Sequence, residues 1–171
     1  LGTFFHHYLE DLSATLGETS HFAVREGVEV FFIDHHIPAG QIVSVAGQTG
    51  EFAPLHCTAH GKPLLADYDH NALRDLLGRA PLKGYTRTRV RSVTRLAQVC
   101  GQVRADGFAL DEGEYLEEVR CVGAPIRDPQ GEIVASVGIS SPLTRLHTRG
   151  VAPVAAEVRK TAPAITASLA S

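Results

Sequence analysis

The sequence predicts an α+β domain, one antiparallel sheet of about six strands flanked by helices. Three observations carry this. An amphipathic helical run opens the chain, alternating apolar stretches come in two groups of three, and a block of helical periodicity separates the groups. Strands that follow one another without intervening helices pair antiparallel and do not build βαβ units. The 171 residues support one ordinary core. No internal repeat or linker divides them, so residues 1–171 are read as one domain.

In the opening stretch, Phe4, Phe5, Tyr8, Leu9, Leu12 and Leu16 recur at helical spacing, and Gly17 is the expected stop. SHFAVREGVEVFFIDHHI reads as two strands around Glu26-Gly27, with QIVSVAG as a third. From Thr58 a helix is expected through Ala66, with Pro63 in its first turn, where a missing N–H costs little. HNALRDLLG is a second helix ending at Gly78. A third runs roughly from Ser92 to Asp106 and buries Val93, Leu96, Cys100 and Val103. Phe108 to Leu110 reads as a short strand. VRCVGAPIRD, the turn DPQG and EIVASVGIS make a hairpin. From Thr144 the tail reads as a long helix that Pro163 kinks or divides.

Hydrophobic content of 44% with 20% charged residues is ordinary globular composition. No apolar run approaches the roughly 20 residues a membrane helix needs. Three cysteines, Cys57, Cys100 and Cys121, without a CxxC pair point to a reducing cytoplasm and away from a disulfide scaffold. The net charge of −3, with scattered basic residues, makes this region a poor candidate for touching DNA itself.

The densest chemistry lies in LHCTAHGKPLLA, residues 55–66. A phosphate loop is excluded, because His56 stands where the leading glycine belongs and Pro63 where the hydroxyl belongs. A zincin is excluded because Cys57, not glutamate, follows His56. Another metal site, zinc held by His56 or His60 with Asp111 and Cys121, stays open on ligand chemistry. Cys57 as a nucleophile lacks a base, since an adjacent histidine on an extended segment faces the other way. What remains is a helix N-terminus capped by Thr58, whose free amides form an anion site if they face a cavity.

Two later features bear on that cavity. GFALDEGEYLEEVRCVGAPIRD carries Asp111, Glu112, Glu114, Glu117, Glu118 and Asp128, which taken alone read as a solvated acidic loop. In EIVASVGISSP, Ile133, Ala135, Val137 and Ile139 alternate with Val134, Ser136, Gly138 and Ser140, so one face is small and partly polar. Small residues on a concave face leave room for a guest.

LHCTAHGKPLLA, then DGFALDEGEYLEEVRCVGAPIRDPQGEIVASVGISSP, then a closing helix resemble, in that order and over nearly the whole chain, the effector-binding domain of IclR-type bacterial transcriptional regulators. The resemblance implies a GAF-like fold with a six-stranded antiparallel sheet, and a ligand closed in between the sheet and a mobile loop. It further implies a cytoplasmic protein that assembles as a dimer or tetramer. An N-terminal winged helix-turn-helix, for which this chain has no residues, would make the DNA contact. By position, the amides of Ala59 and His60 would receive a ligand carboxylate beside Thr58. Asp111, Cys121 and Ser140 would add polar contacts, and Leu55 a wall. Gly138 stands where a second serine is usual, which removes a hydroxyl and adds volume. His60 replaces a small or aliphatic residue and would pair with an acidic ligand or with Asp111. Lys62 is expected as a solvated helix residue. The expectation is a metal-free sensor of a small, possibly aromatic carboxylic acid. A zinc- or thiol-dependent enzyme and a purely structural dimerisation module are the alternatives.

Overall fold

The structure, a computed structural model, describes residues 3–41, 47–87 and 90–171. The opening helix α1 (His6–Leu16) buries Leu9, Leu12 and Leu16 and stops at Gly17, whose φ of 68° is the left-handed conformation of a C-terminal cap. β1 (Thr19–Glu26) and β2 (Glu29–His36) form the expected hairpin. β3 (Phe52–Pro54) is the strand beside β2. The strand expected at residues 41–47 falls almost wholly outside the described residues, and Phe52–Pro54 was not anticipated. Three residues are too few for alternation to show.

α2 (His70–Leu77) and α3 (Val93–Asp106) start on side-chain caps. Asp69 accepts from the Ala72 amide at 2.8 Å and Ser92 from the Arg95 amide at 3.1 Å. The stripe Val93, Leu96, Cys100 and Val103 is buried as expected. β4 (Ala109–Glu112), β5 (Val119–Arg127) and β6 (Ile133–Pro142) follow, then α4 (Leu143–Arg149) and α5 (Val151–Leu169). The tail divides at Gly150, with φ 84°, and not at Pro163, which lies inside α5.

The six strands run in the order β3-β2-β1-β6-β5-β4, every pair antiparallel. The central strand β6 is covered on both faces. Ala135, Val137 and Ile139 join Leu9, Val158 and Ile165 in a core beneath α1 and α5. On the other face, Val30, Phe32, Leu55, Leu65, Leu73 and Leu96 form a second core beneath α2 and α3. The small residues Ser136, Gly138 and Ser140 alternate onto that second face.

The helix expected over residues 58–66 is a tight 3-10 turn, Lys62–Leu65, preceded by a non-helical turn. Pro63 cannot donate the bond that would continue an α-helix through this turn. An α-helical N-terminus is therefore not present, and the anion site cannot rest on a helix dipole.

A cavity floored by the Ala59–His60 turn

Leu55 is buried in the second core and anchors the segment that follows it. Thr58 is not the helix N-cap expected of it, since the 3-10 turn starts after Gly61 with no side-chain cap, but its hydroxyl ties the turn together. Its hydroxyl donates to the Pro54 carbonyl at 2.6 Å and accepts from the Gly61 amide at 3.0 Å. The next turn presses directly onto the sheet. Gly123 of β5 stands opposite Gly138 of β6, and a side chain on Gly123 would be driven into the Ala59 carbonyl. A Cβ on Gly138 would lie 2.8 Å from His60 Cε1 and would also strike the β5 backbone. The paired glycines are a notch that seats the turn. The volume expected from Gly138 is thus not gained: the His60 imidazole occupies it.

A cavity of about 270 Å³ opens beside this turn. Five of the expected residues line it, namely Thr58, His60, Asp111, Cys121 and Ser140. Leu55 and Ala59 lie buried behind the lining, and Gly138 lies under His60. Phe32, Phe52, Tyr115 and Leu116 supply most of the apolar wall and were not foreseen. Tyr115 and Leu116 were visible as an apolar pair inside an acidic loop. Nothing in Phe32 or Phe52 distinguished them from ordinary strand residues.

Across the sheet, Asp111 pairs with Cys121 and Cys121 with Ser140. The Cys121 thiol donates to Ser140 Oγ at 3.3 Å. Asp111 Oδ1 accepts from the amides of Gly113 and Glu114 at 3.1 and 2.7 Å. The acidic loop is not simply solvated, because Glu114 is buried and ion-paired with Lys62. Lys62 is itself only 3% exposed and donates a second bond to the Leu110 carbonyl at 2.7 Å. The expectation of a solvated Lys62 is corrected: a lysine goes inside when a partner there compensates its charge.

His60 is buried, and neither ring nitrogen has a hydrogen-bond partner among the described residues. Burial drives its pKa well below the usual 6.5, so the ring is neutral. His21, with ring centroid 4.9 Å away, is held at about 4 chiefly by the same desolvation. Its Nδ1 donates to the Gly47 carbonyl at 2.8 Å.

Burial raises Asp111 from 3.8 to about 6, with Glu114 adding and the two amides and Lys62 opposing. A carboxyl with a raised folded pKa holds its proton more tightly when folded. Its ionisation therefore destabilises the fold above pH 6, and that cost is relieved as pH falls from 6 towards 4. Asparagine keeps the Oδ1 acceptor without the charge. Asp111→Asn should stabilise by on the order of 2 kcal/mol at pH 7 and by little at pH 4. Urea melts of both proteins across this range test it, and a variant less stable at pH 7 would refute it. His21 and His60 lose stability in the opposite direction, as pH falls below 6.5, but equally in both proteins.

His56 Nε2 donates to the Lys83 carbonyl at 2.7 Å, away from His60. Among the described residues, no three His, Cys, Asp or Glu side chains converge as metal ligands. Burial pushes the Cys57 thiol to about 12 and the Cys121 thiol higher still, so neither is a ready thiolate.

The sequence matches, over residues 1–167, the family described as bacterial transcriptional regulator IclR C-terminal. The chain belongs to this family. The Pca regulon regulatory protein of Pseudomonas putida is 32% identical over 139 residues, which are 81% of this chain and 48% of that protein. The transcriptional repressor IclR of Escherichia coli is 29% identical over 163 residues, 94% of this chain and 59% of that protein. The crystal structure of Thermotoga maritima IclR superposes with a TM-score of 0.88 at 27% identity, covering 99% of this chain and 68% of that one. The IclR domain described here thus spans about half to three fifths of the length of these two curated relatives. They are transcriptional regulators, and the chain is a regulator domain, not an enzyme.

Proposed function

We propose that this IclR domain senses a small organic acid, and that occupancy of the cavity sets the DNA affinity of a winged helix-turn-helix elsewhere in the longer protein. The observation that carries this reading is His60, a residue of the cavity lining whose neutral imidazole is buried with both nitrogens unpartnered. Buried polar atoms are almost always paired, and a ligand is one way to meet that demand. About 270 Å³ suits a small guest, just under the roughly 300 Å³ where drug-sized pockets begin.

The charges limit the acid. Asp111 and Glu51 line the cavity, while Lys62 is committed to Glu114. One carboxylate fits beside the His60 turn, sharing a proton with Asp111; two would repel. The rings of Phe32, Phe52 and Tyr115 favour an apolar or aromatic body. A ligand bridging the Ala59–His60 turn and the loop from Asp111 to Glu118 would draw the two together. It shifts the regulator only by its differential affinity for the two states. On this reading the regulator acts in the cytoplasm as a dimer or tetramer. Among the described residues no helix is long and apolar enough to cross a membrane.

A thermal-shift screen of monocarboxylates, dicarboxylates and aromatic acids tests this, each with and without chelator. A ligand at a hundred times its dissociation constant adds about 2.7 kcal/mol, roughly 5–10 °C for a domain of this size. A monoacid that shifts the melt with chelator present supports the metal-free sensor. A shift abolished by chelator would put zinc in the site. No shift from any acid would refute the reading.

A further inference from the structure

The strand register places two residues of β1 behind the cavity. Thr19 stands opposite Ser140, and His21 opposite Gly138. One cross-strand row therefore runs Thr19, Ser140, Cys121, Asp111, polar from end to end over four neighbouring strands. Neighbours in such a row have Cβ atoms about 4.5–5.5 Å apart. The adjoining row runs His21, Gly138, Gly123, and the two glycines are what let the His60 ring lie there.

Four buried atoms on this face lack hydrogen-bond partners among the described residues: Thr19 Oγ1, His21 Nε2 and both nitrogens of His60. An unmet buried group of this kind is costly, so a cluster of them calls for an explanation. The valences say what is missing. A carbonyl only accepts, so the bond from His21 to Gly47 fixes the His21 proton on Nδ1 and leaves Nε2 a bare acceptor. Neutral His60 has one N–H and one bare nitrogen. The histidine pair therefore presents two acceptors and one donor. A carboxylate or keto oxygen can satisfy only the donor. A hydroxyl donates and accepts, and satisfies two of the three.

We propose that His60 in the cavity lining, backed by His21 and Thr19 behind it, selects a hydroxyl group, so that the domain prefers a hydroxy acid to its deoxy counterpart. This rests on reading the cavity as an effector site. His60 touches the hydroxyl, and His21, behind the lining, couples to it through one buried water.

Calorimetric titration of the domain with matched pairs separates this from the broader reading. The probes are lactate with propionate, mandelate with phenylacetate, and 4-hydroxybenzoate with benzoate. For the pair that binds, the hydroxylated member should bind at least tenfold more tightly, and His60→Phe, with a melt verifying its fold, should bring the ratio within threefold. In the wild-type domain, nitrogen NMR of the imidazoles should show His21 protonated at Nδ1 and the bare nitrogens shifting with the hydroxy acid alone. This second readout needs no variant. Equal binding of both members would mean that a resident water satisfies the histidines, which overturns the selection and leaves the sensor standing. Discrimination that survives His60→Phe overturns the role of the pair. Binding of none of the probes overturns both readings.

Discussion

Replacing Lys62 by methionine is expected to destabilise the domain by about 3–5 kcal/mol, which lowers its melting temperature by roughly 6–20 °C. Methionine fills the space of the lysine stem but leaves the Glu114 carboxylate buried without a counter-charge and the Leu110 carbonyl without its donor. The effect reaches the cavity, because the Glu114 amide is one of the two that hold Asp111 Oδ1. Lys62→Met combined with Glu114→Leu should recover much of the loss, since removing both partners of a buried pair is far cheaper than removing one. Chemical denaturation of the three proteins checks this. A single variant within about 1 kcal/mol of wild type would mean that Lys62 is a surface residue after all.

Gly123→Ala should cost about 3 kcal/mol, at the upper end for overpacking, because the atoms it meets are backbone. The Ala59 carbonyl cannot swing aside as a side chain can; the whole turn has to lift from the sheet. His60 moves with it, so ligand affinity falls together with stability. Gly101→Ala is the matched control. It lies inside α3 with only the Arg104 guanidinium nearby, at an ordinary contact distance of 3.8 Å, and should stabilise by up to about 1 kcal/mol. Unchanged stability and binding in Gly123→Ala would show that the turn does not depend on the notch.

Both predictions concern residues that the sequence presented as unremarkable. Lys62 read as a solvated helix residue because its partner lies 52 positions away. Gly123 carried no signal at all, and Gly138 read as added volume because the ring that fills it is contributed by position 60. Phe32 and Phe52 joined the cavity wall without warning, whereas Asp111, Cys121 and Ser140 could be chosen because the family resemblance aligned them. Thr19 and His21 escaped notice for a related reason. Nothing within β1 shows which strand it will lie beside.

Local order was legible in the sequence. The α1 stripe and its Gly17 stop, the Ser92-capped α3 with its four buried residues, the β1–β2 hairpin and the Asp128 turn follow from side-chain period, caps and turn residues acting within a few positions. The family follows from motif order. Only the tertiary structure decided that residues 58–61 form a turn pressed into a glycine notch, that Lys62 is buried against Glu114, and that His21 meets the cavity-lining His60 from behind. Each of these depends on contacts between segments distant in the chain, where burial alters what a lysine, a glycine or a histidine can do.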